Sequence, residues 1–124
     1  MLRWSRGSVA VEYGLLLPVL LLFLFGLVDC GRLLWTYTTL YRATEAAARC
    51  AAVNATLCGT PTQIQTYAVT QAFGLNITTA AFTASSAACG VQVTASLAYV
   101  FVIPQLSALV PSTITLATTA CYPV

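Results

Sequence analysis

Twenty residues, Val9 to Val28, form an apolar run broken by one charge, Glu12. No other feature constrains the fold of this chain as strongly. As a helix, such a run is long enough to cross a bilayer core of about 30 Å. Arg3 and Arg6 precede it closely, which places the N-terminus in the cytoplasm and the rest of the chain outside. A cleaved secretory signal has a shorter apolar core, about 7 to 15 residues, closed by a small-x-small site. Here the run is longer, and Asp29-Cys30-Gly31-Arg32 follows it, a poor cleavage sequence. Trp4 and Trp35 stand at opposite ends of the span, with Tyr37 and Tyr41 beyond. Aromatic residues collect at membrane interfaces, which explains all four.

Glu12 needs a reason. A lone carboxylate in lipid costs on the order of a few kcal/mol, so a partner is expected. It lies five residues past Gly7. Cleavage between Gly7 and Ser8 would create an ammonium at Ser8, a counter-ion for the Glu12 of a neighbouring copy. The plainer alternatives are a protonated or hydrated carboxylate at the bilayer edge and a merely flexible glycine. Arg6 ahead of Gly7, with Glu12 and Tyr13 behind it, favours the cut.

Hydrophobic residues make up 59% of the chain and charged ones 6%, which disfavours a soluble globular protein. All eight charges lie between Arg3 and Arg49, and Cys50 to Val124 carries none. That uncharged half is rich in Thr, Ala, Ser and Val. It can form sheet, with little repulsion to keep copies apart. The net charge of +2 is too small and too confined for a nucleic-acid surface. The chain has no histidine and no lysine, so Ser85, Ser86 or Cys89 would lack a side-chain base as a nucleophile. No catalytic residue is expected. Without histidine or a Cys-x-x-Cys pair, neither a metal site nor a cofactor is expected.

The helical pattern continues past the membrane. Leu33, Tyr37, Leu40, Thr44, Ala47, Ala48 and Ala51 recur on one side, opposite Arg32, Arg42, Glu45 and Arg49, with the 3.6-residue period. Glu45 is spaced to pair with Arg42 and Arg49 for about 0.2 to 0.5 kcal/mol each. A helix from Ser8 to about Val53 would be roughly 70 Å long, and only about 30 Å of it fits in lipid. The remainder is a stalk whose alanine face can take a sheet at close range. Pro18 removes one backbone hydrogen bond and loosens the helix.

Asn54 to Gly59 reads as a loop. Thr60-Pro61-Thr62-Gln63 is a helix start with a capping box and proline at the first helical position. This helix runs to about Phe73 and stops at Gly74, with Ile64, Tyr67, Ala68, Gln71 and Ala72 on one face. Asn76 to Thr79 is expected as a short first strand. Val91 to Phe101 and Thr113 to Ala120 alternate as half-buried strands, joined through Pro104 to Pro111. Asn54-Ala55-Thr56 and Asn76-Ile77-Thr78 match the glycosylation acceptor pattern, as a threonine-rich chain does by chance. The expected fold is α+β. It comprises a leader over 1–7, a membrane helix over 8–30, and an outer domain over 31–124. That domain contains a helical stalk (31–53), a second helix (61–73) and a small antiparallel sheet (76–121) packed on the stalk.

Cys50, Cys58, Cys89 and Cys121 all fall outside the membrane, where disulfides persist. Four cysteines allow three connectivities. Cys50 ends the long helix and Cys58 lies in the loop that turns back from it. Cys89 precedes one long strand and Cys121 follows the other. The expected pairs are therefore Cys50–Cys58 and Cys89–Cys121, leaving Cys30 free near the lipid boundary.

Gly7-Ser8-Val9-Ala10-Val11-Glu12-Tyr13 resembles the leader junction of the Flp (Tad) branch of the type IV pilus superfamily. The wider pattern resembles the TadE-like pseudopilins: Glu12-Tyr13, Leu17-Pro18, Gly26, Gly31-Arg32, Ala46-Ala47-Ala48-Arg49 and the closing stretch from Val91 to Thr119. Cys30 and Cys50 depart from the ordinary aliphatic, aromatic or small residues of that pattern. The resemblance implies a minor pilin in a bacterial inner membrane, cut after Gly7 by a prepilin peptidase and contacting neighbours through Glu12 and Tyr13. It implies work in pilus biogenesis, surface adhesion and biofilm formation. The implied partners are the major pilin, a sister pseudopilin, and the platform and ATPase of the Tad secretion machinery. Two other classes fit the residues: an uncleaved single-pass anchored adhesion or binding module, and a secreted disulfide protein whose signal is removed.

Overall fold

The computed structural model describes residues 5–103 and 111–124. Arg3, Trp4 and most of the Pro104–Pro111 connection lie outside them. One helix dominates: α1, Ser5–Val53, 49 residues, about 74 Å long at ~1.5 Å per residue. It passes through Pro18 as a single element. A one-turn helix α2 (Ala55–Cys58) follows, then α3 (Pro61–Gln71), a 3₁₀ turn (Thr79–Ala81), and the strands β1 (Phe82–Ala87), β2 (Gly90–Val100) and β3 (Thr113–Tyr122). The strands form one antiparallel sheet in the order β1-β2-β3. The architecture is α+β.

Helix α1 has two environments. From Gly7 to Val28 its side chains are exposed with the exception of the half-buried Gly26. From Asp29 onward one face is buried under the head. Leu40, Ala43, Thr44 and Ala47 are fully buried and Ala48 nearly so. Small side chains here let the sheet approach the helix axis closely, and β2, β3 and α3 all pack on this face. The buried stripe contains Thr36, whereas Tyr37, expected inward, faces out. The true stripe runs Leu33, Thr36, Leu40, Ala43, Ala47, and Tyr37 lies about 100° around the helix from Thr36.

The sheet's inner face is made by alternation. Val93, Ala95 and Tyr99 of β2 and Leu116, Thr118 and Ala120 of β3 are buried, as the period of two requires. Ten residue pairs, from Val91↔Tyr122 to Val100↔Thr113, hold β2 to β3. A polar bridge crosses the middle of the helix–sheet interface. The Thr44 hydroxyl donates to the Leu40 carbonyl at 2.8 Å and lies 2.8 Å from the Thr118 hydroxyl. Since Thr44 has one proton to give, Thr118 is the donor to Thr44. Both hydroxyls are thereby satisfied in the core.

Helix α3 begins at the expected box. Thr60 caps the Gln63 N–H and the Gln63 side chain reaches back to the N–H of Thr60. Its Gln65 side chain donates to the Phe82 carbonyl at 2.8 Å, tying α3 to the start of β1.

Several sequence expectations need correction. Asn76–Thr79 is not a strand. Leu75 to Thr78 is irregular and Thr79 opens the 3₁₀ turn, with Ile77 buried as a single apolar anchor. The first strand is Phe82–Ala87 instead, whose small and hydroxylated residues give little alternation to read. The sheet therefore starts at Phe82 and continues to Tyr122. The loop after α1 contains α2, capped by the Asn54 side chain on the Leu57 N–H at 3.0 Å; Asn54 has this local role, independent of any acceptor motif. Helix α3 ends at Gln71, two residues short of Phe73. Among the described residues the ion pair is Arg32–Asp29, and Glu45 pairs with neither Arg42 nor Arg49. All three are exposed, where a pair gains little over hydration and side-chain entropy.

Candidate assembly site

Gly7, Ser8, Glu12 and Tyr13 lie in the first turns of α1, all exposed. A helix brings residues three and four apart together, so Gly7 and Ser8 sit above the turn that carries Val11 and Glu12. Tyr13 is 71% exposed. It heads an apolar strip with Leu16, Leu17, Leu20 and Phe23. No described residue covers that strip. The helix from Gly7 to Val53 is long and apolar enough to cross a membrane.

The junction between helix and head holds a site the sequence reading missed. In the sequence Asp29 is simply the first residue past the apolar run. Its side chain is buried, 2% exposed as a residue. One carboxylate oxygen accepts the Ile103 N–H at 3.2 Å and the other the Val102 N–H at 3.4 Å. The Tyr99 hydroxyl donates to the Asp29 backbone carbonyl at 3.3 Å. Arg32, one turn on, lies 3.6 Å from the carboxylate and is half exposed. A charge this buried is tolerated because backbone donors and a cation satisfy it. The signal was present: an aspartate one residue beyond an apolar span, where a solvated side chain would need no such placement.

Tyr99 carries the resolved titration shift. Its burial pushes the phenol above its ordinary range, with Arg32 opposing and Asp29 and Cys30 adding to the rise. Its ring meets Phe101 edge-on at 5.4 Å between centroids.

Cys50 is joined to Cys58 and Cys89 to Cys121, with Cα–Cα separations of 5.8 and 6.2 Å. Cys30 is a free, exposed thiol on α1. The first bond pins the turn from α1 into α2. The second ties the β1–β2 turn to the end of β3. Arg42, Glu45, Arg49 and Tyr122 line a shallow exposed depression on the stalk. Among the described residues no group of histidine, cysteine, aspartate and glutamate could hold a metal ion.

These features define a class: a chain with one long N-terminal helix, apolar and bare in its first half, and a small disulfide-bonded α+β head packed on its second half. Residues 7–49 match the model of the family described as TadE-like protein, so the resemblance read from the sequence is shown over that stretch. That family is a component of the Tad pilus system and not a family of enzymes. No curated protein and no solved structure matches the chain.

Proposed function

We propose that this chain is a minor pilin, or pseudopilin, of a Flp (Tad) pilus. It is inserted in a bacterial inner membrane with its N-terminus in the cytoplasm and its head outside. A prepilin peptidase removes residues 1–7, and the mature subunit joins the major pilin and a sister pseudopilin through the platform and ATPase of the Tad machinery. Surface adhesion and biofilm formation follow from the fibre it helps to build.

The observation that carries this reading is the bare half of α1 within the matched stretch. Residues 7–28 are exposed apart from the half-buried Gly26, and this segment has both the Gly7-Ser8 junction and Glu12. In a helical bundle the ammonium left at Ser8 and a neighbour's Glu12 would meet in a low-dielectric setting, where such a pair is far stronger than in water. Pro18 leaves one carbonyl without its helical donor, so the helix can adjust as it leaves the bilayer for the fibre. The test is the N-terminal sequence of the mature protein. Ser8 supports the proposal; Met1 selects the uncleaved anchored module; a start beyond Cys30 selects a secreted protein.

A further inference from the structure

The base of the head carries large apolar side chains that the described residues leave exposed. Val100 is 60% exposed, Val102 64%, Phe73 74% and Trp35 57%. They come from the end of β2, the turn after α3, and α1. The Asp29 junction sets the height of the segment after β2, and Gly74 sets Phe73 against Trp35. The Val102 and Ile103 N–H groups reach the Asp29 carboxylate, so this segment stands level with the first residue past the Val9–Val28 run. Gly74 has φ 75°, and a Cβ there would come within 2.8 Å of Trp35 Cη2. The glycine lets the turn carrying Phe73 lie directly against Trp35.

Heights follow from helix geometry. Trp35 is seven residues beyond Val28, about 10 Å along the axis. Its side chain, like all on a helix, leans back toward the N-terminus. The interfacial zone of a bilayer adds about 5 to 7 Å beyond the hydrocarbon on each side. Val102, level with Asp29, falls inside that zone, and Trp35 and Phe73 stand at its outer margin.

We infer that the base of the head is a second membrane contact: Val102, Val100, Trp35 and Phe73 seat in the outer interface of the bilayer that α1 spans. This rests on the membrane-spanning reading of α1. The occupant is lipid because the Asp29 hydrogen bonds hold Val102 and Ile103 level with the end of the Val9–Val28 run. The head also has no charge from Cys50 onward to resist entry. Arg32, half exposed beside Asp29, supplies a cation at the level of lipid phosphates. Two contacts, span and base, fix the rotation and tilt of the head, which one flexible stalk would not.

The test uses the full chain in vesicles of phosphatidylethanolamine and phosphatidylglycerol at high lipid excess, in a Trp4→Phe, Trp35→Phe background. Single probes are introduced by Val102→Trp at the base, Phe23→Trp in the span, and Val124→Trp at the opposite end of the sheet. Val102, Phe23 and Val124 are all exposed, so folding should tolerate the probes. Brominated acyl chains should quench positions 23 and 102, position 102 best with bromines near the headgroup, while aqueous acrylamide quenches position 124 alone. Acrylamide quenching at 102 equal to that at 124, with 23 still quenched by lipid, overturns the inference and leaves the span intact. Loss of lipid quenching at 23 as well overturns the membrane reading itself. Protection of 102 from both quenchers means a protein surface, such as a second copy, covers the base, and the inference fails.

Discussion

Asp29 Oδ2 accepts the backbone N–H of Ile103 at 3.2 Å, joining residues 74 positions apart at the foot of the head. The sheet packs on the stalk along a stripe of small residues, which gives little resistance to sliding or pivoting. The Asp29 carboxylate fixes the end of β2 to one turn of α1. Asp29→Ala should leave the buried Ile103 N–H and the partly buried Val102 N–H without their acceptor and cost about 1 to 3 kcal/mol. Asp29→Asn keeps one acceptor oxygen and should cost less. Thermal unfolding of the detergent-solubilised protein measures both, and a melting point unchanged in the alanine variant would show the junction to be incidental.

Tyr99 reports on the same junction through pH. Burial holds its phenol above the ordinary value, which is about 10 in an unfolded chain. Its neutral form therefore stabilises the fold fully below about pH 10, and that contribution is lost as pH rises toward the folded value. Tyr99 should therefore ionise late in an ultraviolet titration of the folded protein. Tyr99→Phe should remove that late step and flatten the alkaline loss of stability. If the late step persists in Tyr99→Phe, the group responsible is another tyrosine.

The long helix, the capping box at Thr60 and the two alternating strands were legible because each rests on local chemistry: an apolar run, a hydrogen-bonding motif, a period of two. β1 was not legible. Phe82-Thr83-Ala84-Ser85-Ser86-Ala87 has one large apolar residue, and it pairs because β2 offers an edge rather than through its own pattern. Asn76-Ile77-Thr78 looks more strand-like but has no partner strand, so it spans the gap as coil. The role of Asp29 was hidden for the same reason. Its partners are backbone N–H groups more than 70 residues away, and no local spacing encodes them. Glu12 is the converse case: its position in the sequence is informative, but among the described residues no cation pairs with it.

The junction at Gly7 should be read by size. Gly7 is exposed near the start of α1, and a Cβ there would meet nothing within 4 Å. Replacing it with a bulky residue should leave the fold and insertion alone while stopping cleavage between Gly7 and Ser8. The full-length precursor would then accumulate in the membrane fraction. An unchanged mature mass in that variant would sink the proposed cut.

Glu12 should matter for assembly and not for insertion. Glu12→Ala removes a charge from the span, which favours insertion by about 2 to 3 kcal/mol if the carboxylate is ionised at depth and by less near the interface. The variant should reach the membrane at normal levels yet fail to support pili when it replaces the wild type. Tyr13→Ala should weaken assembly without abolishing it, since it removes contact area and no charge. Normal piliation in Glu12→Ala cells would count against a fibre role for this helix.

The two disulfides should contribute unequally. In the chain-entropy model, closing Cys50–Cys58, a separation of 8 residues, is worth about 2.6 kcal/mol, and Cys89–Cys121, a separation of 32, about 3.7 kcal/mol. The register argues for a smaller difference than that. Gln92 already pairs with Cys121 in the sheet, so Cys89, three residues before it, is held close by the strands alone. Cys50 and Cys58, by contrast, bracket the Asn54 break between α1 and α2, which local hydrogen bonds to Asn54 hold but no sheet register does. Paired serine substitutions, Cys50→Ser with Cys58→Ser and Cys89→Ser with Cys121→Ser, should each lower the melting point, and the first should also loosen the α1–α3 packing seen by hydrogen exchange. Non-reducing peptide mapping of the exported protein checks the pairing directly. A Cys50–Cys89 or Cys50–Cys121 peptide, or four free thiols, would be incompatible with this head.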